Sequence, residues 1–100
     1  MNTEFRLVES HGTDLSSRDR AATLRERILE VADTIKSSVL IDLNGVRTIS
    51  DSFADELFAV IISERSEEWF RDFIQIANAS REVRLSILEA IDERCSAGHE

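Results

Sequence analysis

Proline is absent from the hundred residues, cysteine occurs once and glycine three times. With no proline, no repeat and no low-complexity tract, nothing marks a linker. The 42% apolar content suits one small domain with one core spanning residues 1–100. The lone Cys95 excludes an internal disulfide and any cysteine-based metal site. At the flank of the last predicted helix, it is expected to be a buried, inert thiol. Histidine is as scarce: His11 and His99 are far apart, so neither a metal centre nor a Ser-His-Asp arrangement has a well-placed imidazole. No apolar run approaches the roughly 20 residues of a membrane span. The opening MNTEFRLVES has neither the basic nor the apolar region of a secretory signal. A cytoplasmic protein without metal or cofactor is the expectation.

Basic charge is also in short supply, since 12 Lys and Arg face 20 Asp and Glu for a net charge of -8. From Asp51 to Glu68 six acids meet only Arg65, whereas from Ser16 to Lys36 five basic residues meet four acidic ones. Phosphate binding needs clustered Lys and Arg, so nucleic acid and anionic membranes are not expected partners. A protein with a basic face remains one.

What is present is alternation. Glu4–Glu9 reads as a short strand, broken by His11-Gly12-Thr13. Ser16-Ser17-Arg18-Asp19 opens a helix whose Leu24, Ile28, Val31 and Ile35 recur at helical spacing. SVLIDL carries four aliphatics, Val39, Leu40 and Ile41 in a row and Leu43 beyond Asp42, and fits a strand covered on both faces. After Asn44-Gly45 and Val46–Ile49, a second helix starts at Phe53 and ends near Glu64. Trp69 and Phe70 fall in a charged loop, Phe73–Ala77 is a third strand, and Asn78-Ala79-Ser80 turns into a third helix with a Val83, Ile87, Ile91 stripe. Arg84 falls near the middle of that stripe, where its stem is expected to snorkel along the core edge. The order β-α-β-α-β-α predicts an α/β fold: a small, mostly parallel sheet of three or four strands with three helices. Leu24, Ile28, Val31, Leu40, Phe53, Leu57, Ile61, Ile74, Ile76, Ile87 and Ile91 form the expected core. With so few strands at least one sheet edge is expected to be open, and a weak homodimer follows from that.

The stretch Thr48–Leu57, TISDSFADEL, joins a strand to a helix through Ser50, Asp51 and Ser52. Any of the three suits a helix cap, and Asp55 could complete a capping box begun by Ser52. Asp55 and Glu56 are adjacent on a helix, so they should diverge by about 100° on a solvated face. In open α/β sheets the working loops lie beyond the carboxyl ends of the strands. TISDS and NASRE both follow strands, which makes Asn78, Ser80 and Arg84 a secondary candidate edge. No general acid/base pair, nucleophile-base pair or phosphate-cradling loop is visible, and a non-enzymatic role is expected.

VLIDLNGVRTISDSFADEL followed by FIQIANASREVRLSILEAI resembles the STAS domain of sulfate transporters and anti-sigma-factor antagonists, and more closely its small STAS-like bacterial relatives. The resemblance lies in an aliphatic strand ending Asp42-Leu43, the Asn44-Gly45-Val46 turn, the Ile49-Ser50-Asp51-Ser52 segment and Asn78-Ala79-Ser80-Arg81-Glu82-Val83-Arg84. It covers residues 38–92, with Leu15–Ile35 similar to the helix that precedes. Ser50 stands where the family usually has aspartate, Asp51 where it has serine, and Phe53-Ala54 where it has Gly-Leu. The resemblance implies a regulatory module that docks an anti-sigma-type or histidine-kinase-like ATPase, or another signalling protein. The docking edge would be Ser50–Leu57, including Asp55 and Glu56, and Ser52 occupies the position that such a kinase phosphorylates. A sensor or scaffold that binds a small ligand or nucleotide, or assembles with itself, is the alternative.

Overall fold

The computed structural model describes residues 3–97, with side chains described as far as Cys95; His99 lies outside them. The elements are β1 (Thr3–Arg6), α1 (Leu7–His11), β2 (Asp14–Leu15), α2 (Arg18–Ile35), β3 (Val39–Asp42), β4 (Thr48–Ile49), α3 (Asp51–Ala54), a π-helical turn (Asp55–Ala59), α4 (Val60–Arg65), α5 (Glu67–Phe73), β5 (Ile74–Ala77) and α6 (Arg81–Ala97). The α/β class and parallel pairing match the expectation. β1, β3 and β5 form a parallel sheet in the order β1-β3-β5, with Phe5, Ile41 and Ile76 in register, and β2 pairs with β4 in a second, two-stranded parallel sheet. β2 and β4 are two residues each, too short to leave an alternating pattern in the sequence.

Helices cover one face of the three-stranded sheet only. Val39 and Ile41 of β3 are fully buried, while Leu40 and Asp42 turn to the other side and stay partly exposed. The two-sided burial expected of SVLIDL is therefore corrected to one-sided. Leu40 thus leaves the expected core on the uncovered face, Ile76 is exposed on the edge strand β5, and Val31 and Ile91 are only partly buried on α2 and α6, whereas Leu24, Ile28, Phe53, Leu57, Ile61, Ile74 and Ile87 lie in the core. Each such large aliphatic or aromatic side chain contributes roughly 1.5–3 kcal/mol relative to exposure.

Ser17, not Ser16, caps α2: its Oγ accepts a hydrogen bond from the Arg20 N–H at 3.2 Å. The helix buries Ala21, Leu24, Ile28, Leu29 and Ala32 and ends where Lys36 adopts a left-handed conformation at φ 52°. Ile35, at the end of the expected stripe, is exposed.

The second expected helix is a continuous rod of α3, the π turn and α4, since the residues at both junctions keep right-handed helical dihedrals. Leu57, Phe58 and Ala59 are all fully buried, three consecutive residues facing inward. Widening the turn to i→i+5 bonding reduces the angle between neighbours, so a run of apolar residues can face one core.

Trp69 and Phe70 lie on helix α5 rather than in a loop, and both pack against the core. Ser66 caps this helix by accepting from the Trp69 N–H at 3.1 Å. Phe70 meets Phe58 edge-on, Trp69 stacks on Phe73 at 5.0 Å, and the Arg65 guanidinium lies 4.7 Å from the Trp69 ring centre. The N-terminal strand is likewise shorter than expected, because its second half, from Leu7, winds into α1.

Candidate functional site

The Ser50–Leu57 segment is built around a fixed serine and a freer one. Ser50 is the N-cap: its Oγ accepts from the Phe53 N–H at 3.1 Å and donates to the Ser16 carbonyl at 3.3 Å. Its backbone N–H donates to the Leu15 carbonyl at 2.7 Å. The capping box imagined for Ser52 and Asp55 is not formed, because Ser50 fills the capping position and Phe53 stands three residues on. Ser52 is half-buried, with its Oγ 3.4 Å from that of Ser50. It lines an open depression together with Arg18, Asp51, Asp55, Glu93 and Arg94.

Asp55 and Glu56 do not diverge onto a solvated face. Both are partly buried, and Arg18 Nη1 reaches both, at 3.3 Å from Asp55 and 2.8 Å from Glu56. The smaller angular step of the π turn is what lets adjacent carboxylates share one guanidinium. Arg94 then donates two hydrogen bonds to Asp55, each 2.7 Å, and Arg25 Nη1 donates to both the carboxylate and the backbone carbonyl of Glu56. The hydrogen bonds from Arg94, with Arg18 adding to them, hold the Asp55 carboxyl below the usual carboxylate range. Arg25 and then Arg18 do the same for Glu56. Within the acidic run from Asp51 to Glu68, Asp55 and Glu56 are thus compensated across space by α2 and α6, while Arg65 pairs with Asp33 on α2 at 2.9 Å.

Arg18, Arg25 and Arg94 were not among the residues singled out from the sequence. A signal for two of them existed: Arg18 and Arg25 are seven apart, which places them on one face of α2. His11 is a further neighbour of this segment, with its ring edge-on to Phe53 at 6.1 Å and Nδ1 hydrogen-bonded to Ser10 at 2.7 Å. Partial burial, and then Arg20, lower its pKa.

The secondary edge stands apart from this cluster. Asn78 adopts a left-handed conformation at φ 59° and donates through Nδ2 to Asp42 at 3.0 Å. Ser80 Oγ accepts from the Val83 N–H at 3.2 Å and so caps α6. Arg84 is exposed rather than centred on the buried stripe, which Val83, Ile87 and Ala90 occupy. Ser50-Asp51-Ser52 follows β4 of the small sheet and NASRE follows β5 of the larger one. It is the far end of α6, at Arg94, that meets Asp55; Arg84 is ten residues earlier, about 15 Å along the helix axis. Cys95 is partly exposed, so the expected full burial of its thiol is corrected.

No helix among the described residues is long and apolar enough to cross a membrane. Among curated proteins and among solved structures, none matches the chain. The family model described as a STAS-like domain of unknown function (DUF4325) matches residues 20–84, which span β3, the Ser50–Leu57 segment and the Asn78–Arg84 turn. Covering well over half of the sequence, that match makes the chain a member of this STAS-like family.

Proposed function

We propose that the protein is a non-enzymatic regulatory module of the cytoplasm that docks a signalling partner, an ATPase of the histidine-kinase-like type, through the Ser50–Leu57 edge. Phosphorylation of Ser52 is the switch. The observation that carries this reading is the division of labour between the serines: Ser50 is consumed by capping, and Ser52 is left half-exposed in an open depression.

A phosphate on Ser52 would sit in the first turn of the rod, where the helix dipole favours negative charge. It would enter a depression that Arg18 and Arg94 line, and compete with Asp55 for their guanidinium groups. Asp55 and Glu56 repel it less than their proximity in sequence implies, because each is already paired with arginine. The added charge of about -1.5 to -2 changes the surface offered to the partner and opposes its docking.

Two measurements test the reading. Protein isolated from its native cell, digested and mapped by mass spectrometry, should carry phosphate on Ser52 in a fraction of molecules. Wild-type bait should retain an ATPase that Ser52→Glu bait loses. Retention of the same partners by both baits, with no phosphate on Ser52, would remove the proposal. Self-assembly, the second reading, is favoured by a separate feature: an uncharged open strand at the edge of the sheet.

A further inference from the structure

The three-stranded sheet has two edges of opposite character. On β1 the exposed side chains are Glu4 and Arg6, and Arg6 is ion-paired to Glu4 and Glu9. Charged side chains of this kind protect an edge from pairing. β5, at the other edge, reads Ile-Gln-Ile-Ala and carries no charge. Its Ile76 is one of four large hydrophobics exposed among the described residues, and another, Leu88, lines the same groove together with Phe70, Ile87 and Ile91.

The backbone of β5 offers one free pairing unit. The Ala77 carbonyl accepts from the Leu43 N–H at 2.9 Å, so Ala77 faces β3. Alternation along the strand then directs the N–H and C=O of Ile76 away from the sheet. The Ile74 N–H is already bonded to the Phe70 carbonyl. Charge is polarised along this edge. Before the strand come Glu67, Glu68 and Asp72 against Arg71; after it come Arg81 and Arg84 against Glu82. A strand of the same sequence laid antiparallel brings the acidic end of each copy to the basic end of the other. A parallel arrangement would set like ends together.

We propose that a second copy of this chain pairs through β5, antiparallel about a two-fold axis at Ile76, to join two three-stranded sheets into one of six strands. Ile76 of each copy forms the hydrogen-bonded pair, exchanging both N–H···O bonds. The two Ile76 side chains meet on the helix-covered face, and Leu88 from each copy flanks them. The short strand and small apolar patch make this a weak, concentration-dependent dimer. The interface does not use the Ser52 depression, so it stands independently of the docking proposal.

Sedimentation of the full chain up to hundreds of micromolar should show a monomer–dimer equilibrium. Ile76→Lys, which places two ammonium groups opposite each other, should raise the dissociation constant at least about tenfold, a change of 1.4 kcal/mol. Because Ile76 is 36% exposed, the thermal melt should be little changed. A second variant keeps the test independent of that substitution. Ile76→Cys, in a Cys95→Ser background, should form a disulfide-linked dimer under mild oxidation. Hydrogen-bonded antiparallel pairs hold Cα atoms about 5.5 Å apart, within the roughly 4.4–6.8 Å that a disulfide spans. Glu4→Cys, on β1 in the same background, should not cross-link. A wild-type protein that stays monomeric throughout, a dimer untouched by Ile76→Lys, or cross-linking from Glu4→Cys as efficient as from Ile76→Cys would each overturn the proposal.

Discussion

Arg94 clasps Asp55 with two hydrogen bonds of 2.7 Å, one from Nε and one from Nη2, and so ties the end of α6 to the π turn. The pair is 37% and 22% exposed in its side chains, which puts it between a solvent-screened surface bridge and a buried one. Bidentate geometry favours it, and screening limits it. Asp55→Asn should therefore lose about 1 kcal/mol of unfolding free energy, read from the urea midpoint. An unchanged midpoint would show that this clasp holds nothing in place.

The same carboxylate gives a pH signature. The folded-state pKa values of Asp55 and Glu56 lie below their ordinary values, so their stabilisation is fully present above about pH 4–5. It is lost as pH falls through the depressed values, when the folded carboxylates take up protons. Wild-type stability should drop on acidification below about pH 4, and Asp55→Asn should show a shallower drop over the same interval. Parallel acid profiles for the two proteins would contradict this.

Ser50 and Ser52 should respond differently to removal of their hydroxyls. Ser50→Ala deletes the cap on the Phe53 N–H and should cost about 0.5–2 kcal/mol. Ser52→Ala removes only a 3.4 Å contact with Ser50 and should cost less than about 0.5 kcal/mol. Urea titrations of the two variants give the comparison directly, and equal losses would mean that capping is shared.

The π turn should be the least tolerant part of the core. Phe58 is fully buried and edge-on to Phe70. Phe58→Ala should lose about 3–5 kcal/mol, a large share of the total stability of a domain this small. A loss below about 1 kcal/mol would show that the site collapses around the missing ring.

The alternation of aliphatic strands and amphipathic helices was legible because burial repeats with the period of each element. β3, β5, α2 and α6 all stand close to where that pattern puts them. The pattern fails where geometry departs from a regular period. A π turn changes the angle between Asp55 and Glu56 by a bonding shift that no residue type announces, and it turned an expected solvated face into an ion-pair centre. One-sided cover of the sheet depends on where α2 and α6 pack, so the aliphatic run at β3 could not reveal that Leu40 faces outward. The Ser50–Ser52 turn was legible as a helix start, but choosing its cap needed the Ser16 and Leu15 carbonyls, which arrive from a distant strand and loop. Arg94 lies beyond the matched STAS-like segment and reaches Asp55 only through the full length of α6.

On the docking proposal, Ser52 governs partner binding without governing the fold. The most direct measurement is a binding titration of wild type and Ser52→Glu against the ATPase retained by wild-type bait, with a thermal melt of each. An acid in the first turn of the rod is compatible with the helix dipole, so the melt of Ser52→Glu should equal or slightly exceed that of wild type. Its affinity should fall at least about tenfold, because charge is added where a desolvated contact forms. Equal affinities with equal melts would remove Ser52 from docking and leave it a bystander beside the cap.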